Sequence, residues 1–380
     1  MKNILLLILT LFNLGIIAQN IKIGIYNDKN IQKNLLETDR GKYKIIADGK
    51  KIYTLKGNRA IILNYENDGI RLNAGKKEYK SLKSISVNGK KKSVISLKLI
   101  KPKQKARKYK GDLDISVKQN SLKLINKPPF NEYLAGVVEA ESGTKSESEY
   151  YKTQAIICRT YALQKWEKHK KDGFNLCDRV HCQVYKGLQT ENRLIRKSVK
   201  KTEHLVILDK DNCLIEALFS ANCGGQTNNS EMVWSSVIPY LRSVKDLNCI
   251  GQRQAKWEKT IPVSRFISFL NSKDLSVPDT FPPERFKFKQ PKRVKYYTIN
   301  NQKIKLTSIR FGLGLRSTFF DIEAKDNKLV FHGRGYGHGV GMCQEGAMNM
   351  AKKGKKYDEI IKFYYTGVKI KPMLKIKNRN

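Results

Sequence analysis

The sequence predicts an α+β fold, with a β-rich N-terminal unit followed by a mixed helical and β core. Three observations carry this. From Lys22 to about Ile125, short β-type runs such as "IKIGIY", "AIILNY" and "SVISLKLI" are broken by "DGK", "NDG" and "NGKKK", which is turn chemistry between alternating apolar residues. Pro128 and Pro129 then punctuate the chain, and helical periodicity takes over. Further on, strands and short helices alternate around a glycine-rich stretch. With 380 residues the chain is long enough to bury a substantial core. The chain is expected to divide into a leader (1–18), a basic β-rich region (19–125), a core (126–370) with an insertion at about 260–305, and a basic tail (371–380). No internal repeat or low-complexity segment interrupts it.

The leader, "MKNILLLILTLFNLGIIAQ", has a lysine at position 2, an apolar stretch from Ile4 to Ile17 and small Ala18 before Gln19. That is the layout of a secretory signal peptide, and the expectation is an exported protein. No other segment approaches the roughly 20 apolar residues that a spanning helix needs, so no transmembrane segment is expected in the mature chain. The formal charge is +40, and residues 74 to 110 carry fourteen Lys or Arg against one acid, Glu78. Such a balance points to a polyanion or an anionic surface. Export without a nucleic-acid motif argues against nucleic acid and for polymers of the cell envelope. The lysines of the β-rich region read as a solvated face or as a face meeting a glycan or membrane.

In the core, "NEYLAGVVEAESG" places Leu134, Val137, Val138 and Glu141 at i, i+3, i+4 and i+7 of a helix ending at Gly143, with Glu132 and Glu139 on the other face. A carboxylate on an apolar stripe is the acid whose pKa burial raises most, as a general acid requires; a cap or a bridge to arginine would use the same residue. A capping box, Ser146 to Glu149, opens the next helix, "YYKTQAIICRTYALQKWEKHKK". Its Arg159 reads as an ion-pair partner of a carboxylate on the neighbouring helix or as a contact with substrate.

"HKKDGFNLCDRVHCQVYKG" brings Cys177, His181 and Cys182 together with His169 upstream. These could form a two-Cys, two-His tetrahedral zinc set, against which stands a Cys177 to Cys182 disulfide. Seven cysteines in an exported chain leave at least one unpaired or metal-bound. In "FSANCGGQTNNSEMVW", Ser220 and Cys223 lie beside a glycine pair; a thiol nucleophile lacks a base, and a disulfide from Cys223 to Cys249 is the favoured reading.

"KLVFHGRGYGHGVGM" reads as a strand entering a glycine loop, with Gly333, Gly335, Gly337, Gly339 and Gly341 at alternate positions. Neither the dinucleotide spacing nor a P-loop Lys-Ser or Lys-Thr is present, which excludes a nucleotide site. So costly a run of glycines is expected where positive φ is needed or something approaches the backbone closely. "QEGAMNMAKKG" and "YDEIIKFYYTG" follow as two short helices ending at Gly354 and Gly367.

Four stretches in order, "NEYLAGVVEAES", "TQAIICRTYAL", "CDRVHCQVYKG" with "FSANCGGQTNNSEMVW", and "GRGYGHGVGMCQEGAMNMA" with "FYYTGVKI", resemble the SpoIID/LytB family over residues 125 to 370. The resemblance implies a catalytic domain with a glycan-binding groove. Members related to the sporulation protein are lytic transglycosylases that cut peptidoglycan glycan strands, preferring strands without stem peptides. LytB-type members modify a cell-wall amidase, so such an amidase is a further expected partner. The family's catalytic glutamate falls on Glu141; its zinc ligands, in members that have them, fall on Cys177, His181 and Cys182, with His169 off the expected spacing. Tyr336, His338, Gly339 and Gln344 match the residues lining the glycan groove, and Arg159 and Ser220 join the expected substrate contacts. Two departures stand out: Ser142-Gly143 where Met-Pro is usual, and Cys343 where serine is common.

A single carboxylate suits that chemistry. An ordinary glycosidase uses two. A lytic transglycosylase needs no water: its acid protonates the glycosidic oxygen, then takes the proton of the muramic C6 hydroxyl as a 1,6-anhydro ring closes. Zinc, closed by four ligands, would be structural. The glycines are expected to leave a channel for the sugar chain, with Tyr336 stacking on a ring and His338 and Gln344 bonding to hydroxyls or acetamides.

Overall fold

The computed structural model describes residues 20–57, 59–90 and 92–373. The expected leader and all but the first residues of the basic tail lie outside the described residues. The chain divides into two compact units, one reaching Val206 and rejoined at Lys371, the other formed by Ile207–Ile370. The architecture is α+β, as the sequence predicts.

In the first unit the β-type runs form strands β1 (Ile23–Ile25), β2 (Lys33–Arg40), β3 (Lys42–Ala47), β4 (Lys50–Lys56), β5 (Ala60–Glu66), β6 (Gly69–Ala74), β7 (Lys77–Leu82), β8 (Ser84–Gly89), β9 (Val94–Lys101), β10 (Arg107–Lys110), β11 (Asp112–Val117) and β12 (Leu122–Lys127), with a short β13 (Leu176–Cys177). They make a seven-stranded sheet, in order β13-β1-β12-β11-β8-β3-β4, and a six-stranded sheet, β10-β9-β2-β5-β6-β7. Neighbours run antiparallel except β1 and β13, which pair in parallel and bring Gly24 opposite Cys177. The turns explain the meander. Asn67 and Asp68, between β5 and β6, both have positive φ, at 48° and 55°, the two-residue geometry whose twist suits a hairpin. Alternation does the rest: on β3, Tyr43, Ile45 and Ala47 are buried while Lys42 and Lys44 are exposed.

Three helices complete this unit: α1 (Phe130–Ser142), α2 (Ser148–Gln164) and α3 (Arg193–Lys201), which pack on one another. Gly143 stops α1 at φ +70°, its N–H donating to the Glu139 carbonyl. Three expectations need correction here. The Ser146 to Glu149 capping box does not form: α2 begins at Ser148 after Glu147, with no side-chain cap, and Glu149 bonds forward to Lys152 instead. Helix α2 also stops at Gln164, and turns carry the chain on to His169. Glu139 is not on a solvent face, because α1 is enclosed nearly all round from Tyr133 to Glu139; its carboxylate accepts from the Thr190 main-chain N–H and from the Thr190 hydroxyl.

The second unit has its own core. Strands β16 (Lys256–Pro262), β19 (Phe320–Lys325) and β20 (Lys328–Arg334) form an antiparallel sheet with β20 central. Trp257, Phe266, Phe286, Tyr297, Phe320 and Phe331 are buried together against it. The stretch expected as an insertion, 260–305, supplies a helix (Val263–Asn271) and the hairpin β17 (Tyr296–Ile299) to β18 (Gln302–Lys305), so it helps build this core. Short β15 (Phe219–Ser220) pairs in parallel with β21 (Met342–Cys343). Helices Gln344–Lys352 and Tyr357–Tyr364 follow, ending just short of Gly354 and Gly367. Among the described residues, no helix is long and apolar enough to cross a membrane.

Candidate functional site

Glu141 lies in the last turn of α1, part-buried. Its Oε1 accepts from the Val184 main-chain N–H at 2.7 Å. Burial pushes its carboxyl above the ordinary 4.5, while the Val184 N–H and the Lys186 charge pull the other way. Lost hydration outweighs both, so this acid keeps its proton to higher pH than a solvated glutamate.

Arg159 is not its ion-pair partner and presents no surface to a substrate. The side chain is fully buried, and the guanidinium donates to the carbonyls of Leu205 at 3.1 Å and Val199 at 3.2 Å. A buried arginine on α2 finds carbonyls at the end of α3 and just beyond it, and there its role is to tie the first unit's helices together.

Two residues before Val184, the same segment carries Cys182, one of a cluster of four metal-binding side chains. His169, Cys177, His181 and Cys182 bring four ligand atoms within 4.8 Å of one another. Cys182 Sγ is 3.5 Å from His169 Nε2 and 3.8 Å from His181 Nδ1, and Cys177 Sγ is 3.8 Å from His181 Nδ1. With metal bonds of roughly 2.3 Å to sulfur and 2.0–2.1 Å to nitrogen, a tetrahedral zinc would set sulfur and nitrogen about 3.5 Å apart. His169 Nδ1 lies 3.2 Å from the Asp172 carboxylate, which leaves Nε2 facing the sulfurs, the orientation seen in carboxylate-histidine-metal triads. All four residues therefore fit a closed zinc set, and His169 belongs to it geometrically. Cys177 and Cys182 are free thiols, as are the other five cysteines.

In the second unit the glycine stretch is closed by the protein's own backbone. Tyr336 and Asn222 exchange N–H···O bonds at 2.8 and 3.1 Å, Asn228 N–H bonds the Gly339 carbonyl at 2.7 Å, and Met342 N–H bonds Leu218. Gly335, at φ +76°, would place a Cβ 2.5 Å from the Asn222 carbonyl oxygen, and Gly341, at φ +73°, would drive one into the Leu218 carbonyl. The close neighbour of Gly335, Gly337 and Gly341 is thus the segment 218–224, while Gly333 lies against the Trp257 ring and Gly339 against the Arg293 guanidinium, which corrects the expectation of an open channel at these positions. Two backbones can lie this near only where neither carries a side chain between them.

What faces outward is aromatic. Tyr336 is 46% exposed, with the Arg316 guanidinium 5.9 Å from its ring centre. His338 is part-buried; its Nδ1 accepts from Val340 N–H at 3.0 Å, so the proton of the neutral ring sits on Nε2. Burial and the charges of Arg310 and Arg293 lower its pKa to about 4. Trp234, 44% exposed, tilts against the His338 ring at 5.4 Å. Trp234 ends the stretch "FSANCGGQTNNSEMVW", and a tryptophan closing a polar run is the sequence signal for it. Ser220 is 6% exposed, its Oγ without a hydrogen-bond partner and its Cβ against Gly337. Gln344 opens its helix and is 8% exposed, so neither side chain offers much surface.

The Cys223 to Cys249 disulfide is also corrected. The two sulfurs are 3.4 Å apart and unbonded, and Cys343 and Asp246 share their site.

Residues 118–208 match the family described as SpoIID, stage II sporulation protein. The chain is 31% identical to the stage II sporulation protein D of Bacillus subtilis over 68% of its own length and 79% of that protein. It is 32% identical to an uncharacterised protein of Brachyspira hyodysenteriae over 69% of this chain and 72% of that one. It is 30% identical to the amidase enhancer of Bacillus subtilis over 62% of this chain, which spans 39% of that longer protein.

Proposed function

Because the chain belongs to the SpoIID family, we propose that it is an exported lytic transglycosylase that cleaves peptidoglycan glycan strands at the MurNAc-GlcNAc linkage, leaving 1,6-anhydro ends. The observation that carries the reading is Glu141: part-buried, raised in pKa and oriented by a main-chain N–H. Protonated, it donates to the glycosidic oxygen as that bond breaks. Ionised, it takes the proton of the substrate's own C6 hydroxyl as this oxygen closes on the anomeric carbon. The nucleophile belongs to the sugar, so no second carboxylate is needed. Tyr336, with Trp234, supplies exposed ring faces for sugars, and His338 stays neutral as a hydrogen-bonding group. His169, Cys177, His181 and Cys182 would hold a structural zinc, and the loop they anchor carries the Val184 N–H that aims Glu141. The high positive charge favours the anionic envelope as the place of work.

A second reading is supported by the similarity to an amidase enhancer: a glycan-binding modifier of a cell-wall amidase that breaks no bond itself. Digestion of peptide-free glycan strands separates the two. The first reading expects anhydro-ended fragments by mass spectrometry from the wild type and none from Glu141→Gln. The second expects no such fragments, retained strand binding and faster amidase digestion.

A further inference from the structure

A second group of metal-binding side chains lies wholly within the second unit. Cys223, Asp246, Cys249 and Cys343 are each fully buried, and their ligand atoms lie within 4.8 Å of one another. They come from three separate segments. Cys223 follows β15, and Cys343 lies on β21, whose parallel pairing sets Ser220 opposite Cys343. Asp246 caps the short 3-10 helix Leu247–Cys249: its Oδ1 accepts from Asn248 N–H at 3.0 Å. Its other oxygen, Oδ2, is 3.3 Å from Cys223 Sγ and accepts from the Tyr364 hydroxyl at 2.8 Å.

We propose that these four residues bind a structural zinc ion, independent of the catalytic reading and of the set around His169. Three sulfurs and one carboxylate oxygen suit zinc, since thiolates select soft or borderline metals and an aspartate oxygen is a normal fourth ligand. A tetrahedral zinc would place two sulfurs about 3.8 Å apart and sulfur and oxygen about 3.6 Å apart. The observed 3.4 and 3.3 Å need only a few tenths of an ångström of opening.

The surroundings are those of thiolates. Main-chain N–H groups point at the sulfurs, Cys223 N–H at Cys343 Sγ and Gly225 N–H at Cys249 Sγ, each at 3.2 Å, and such donors stabilise negative sulfur. The Tyr364 hydroxyl orients the carboxylate as an outer-shell donor does. Arg293 is a buried cation beside the cluster. It is 4% exposed, and its guanidinium bonds are to the Gln226 and Cys223 carbonyls and the Thr318 hydroxyl, none of them to a carboxylate. The three sulfurs lie within its electrostatic reach, so thiolates there would meet a buried cation. Helix packing respects the cluster too: a side chain at Gly346 would collide with Asp246 Oδ2 and the Tyr364 hydroxyl. The residues next in sequence to Cys223 and Cys249, Gly224 and Ile250, line a surface cleft together with Gly225 and Arg334. Binding takes all three cysteines as thiolates, so each one still protonated gives up its proton to solvent. The competing product, a Cys223 to Cys249 disulfide, would leave Cys343, Asp246 and Arg293 without a shared partner.

The test is zinc stoichiometry in the full chain, purified under reducing conditions without chelator, by elemental analysis and native mass spectrometry. Wild type is expected to hold one zinc per chain more than Cys343→Ala, while Cys182→Ser retains this zinc. Equal zinc in wild type and a folded Cys343→Ala overturns the proposal. Because a ligand variant can lose its fold, a variant-free readout accompanies it: an anomalous difference map of wild-type crystals at the zinc absorption edge. A peak between the three sulfurs is expected. No peak there, or density joining Cys223 to Cys249 as a disulfide, overturns the site.

Discussion

Replacing Glu141 with glutamine separates chemistry from architecture. Gln keeps the shape of the side chain and an oxygen for the Val184 N–H, now 2.7 Å from Oε1, but has no proton to shuttle. Loss of a general acid/base slows a reaction by roughly 10²–10⁴-fold, or about 2.7–5.4 kcal/mol of barrier. Stability should move little. The Val184 bond to the charged form contributes about 1.5–3 kcal/mol, yet burial outweighs it, because the carboxyl sits above its ordinary value. Removing the charge therefore ends an unfavourable desolvation, and the folding free energy should stay within about 1 kcal/mol or rise. Removal of one partner of a buried ion pair would instead cost about 3–5 kcal/mol. The assay is the initial rate of anhydro-product release from peptide-free strands, paired with urea unfolding, across pH. In wild type kcat/KM should fall as pH rises through the raised Glu141 pKa, since the acid form is then lost. The linkage has the same direction: the folded state holds this proton more tightly, so the stability it contributes is full below 4.5 and disappears as pH rises through the folded value. Both slopes should vanish in the variant. A variant within tenfold of the wild-type rate, or one losing several kcal/mol with the rate, would refute the argument.

Three further outcomes are expected. His338 titrates near 4 in the fold against an ordinary 6.5, so unfolded chains take up its proton first; stability should drop as pH falls from 6.5 towards 4, by at most on the order of 3 kcal/mol, and His338→Gln should flatten that slope in acid unfolding curves. Gly341→Ala meets both a positive φ and the Leu218 carbonyl, whereas Gly354→Ala, at φ +87° with open space, meets only the first; urea unfolding should show about 1–2 kcal/mol lost at Gly354 and clearly more at Gly341. Cys182→Ser should lose the zinc held with His169, Cys177 and His181, and slow strand cleavage by loosening the loop that carries Val184; its kcat/KM limb should shift to higher pH, since the N–H that pulls Glu141 down is no longer held, and an unchanged profile would break that link.

Local chemistry determined much of this protein from the sequence alone. Period-two alternation and Asp-Gly or Asn-Asp turns set the strands, because each is decided within a few residues. The stripe through Leu134, Val137, Val138 and Glu141 placed this carboxylate where burial raises its pKa, and the closeness of Cys177, His181 and Cys182 in the chain made them neighbours in space. What depends on who meets whom was settled only by tertiary packing. Arg159 and Glu139 read as surface or pairing groups until the enclosing helices buried them against carbonyls and Thr190. The glycines read as room for a ligand, but the space beside them belongs to the protein itself: residues 218–224 at Gly335, Gly337 and Gly341, Trp257 at Gly333 and Arg293 at Gly339. Likewise Cys223, Asp246, Cys249 and Cys343 are distant along the chain; the parallel pairing of β15 with β21 and the cap on the Leu247–Cys249 turn join them. Periodicity records which face a residue presents, while contact between remote segments is a property of the assembled backbone.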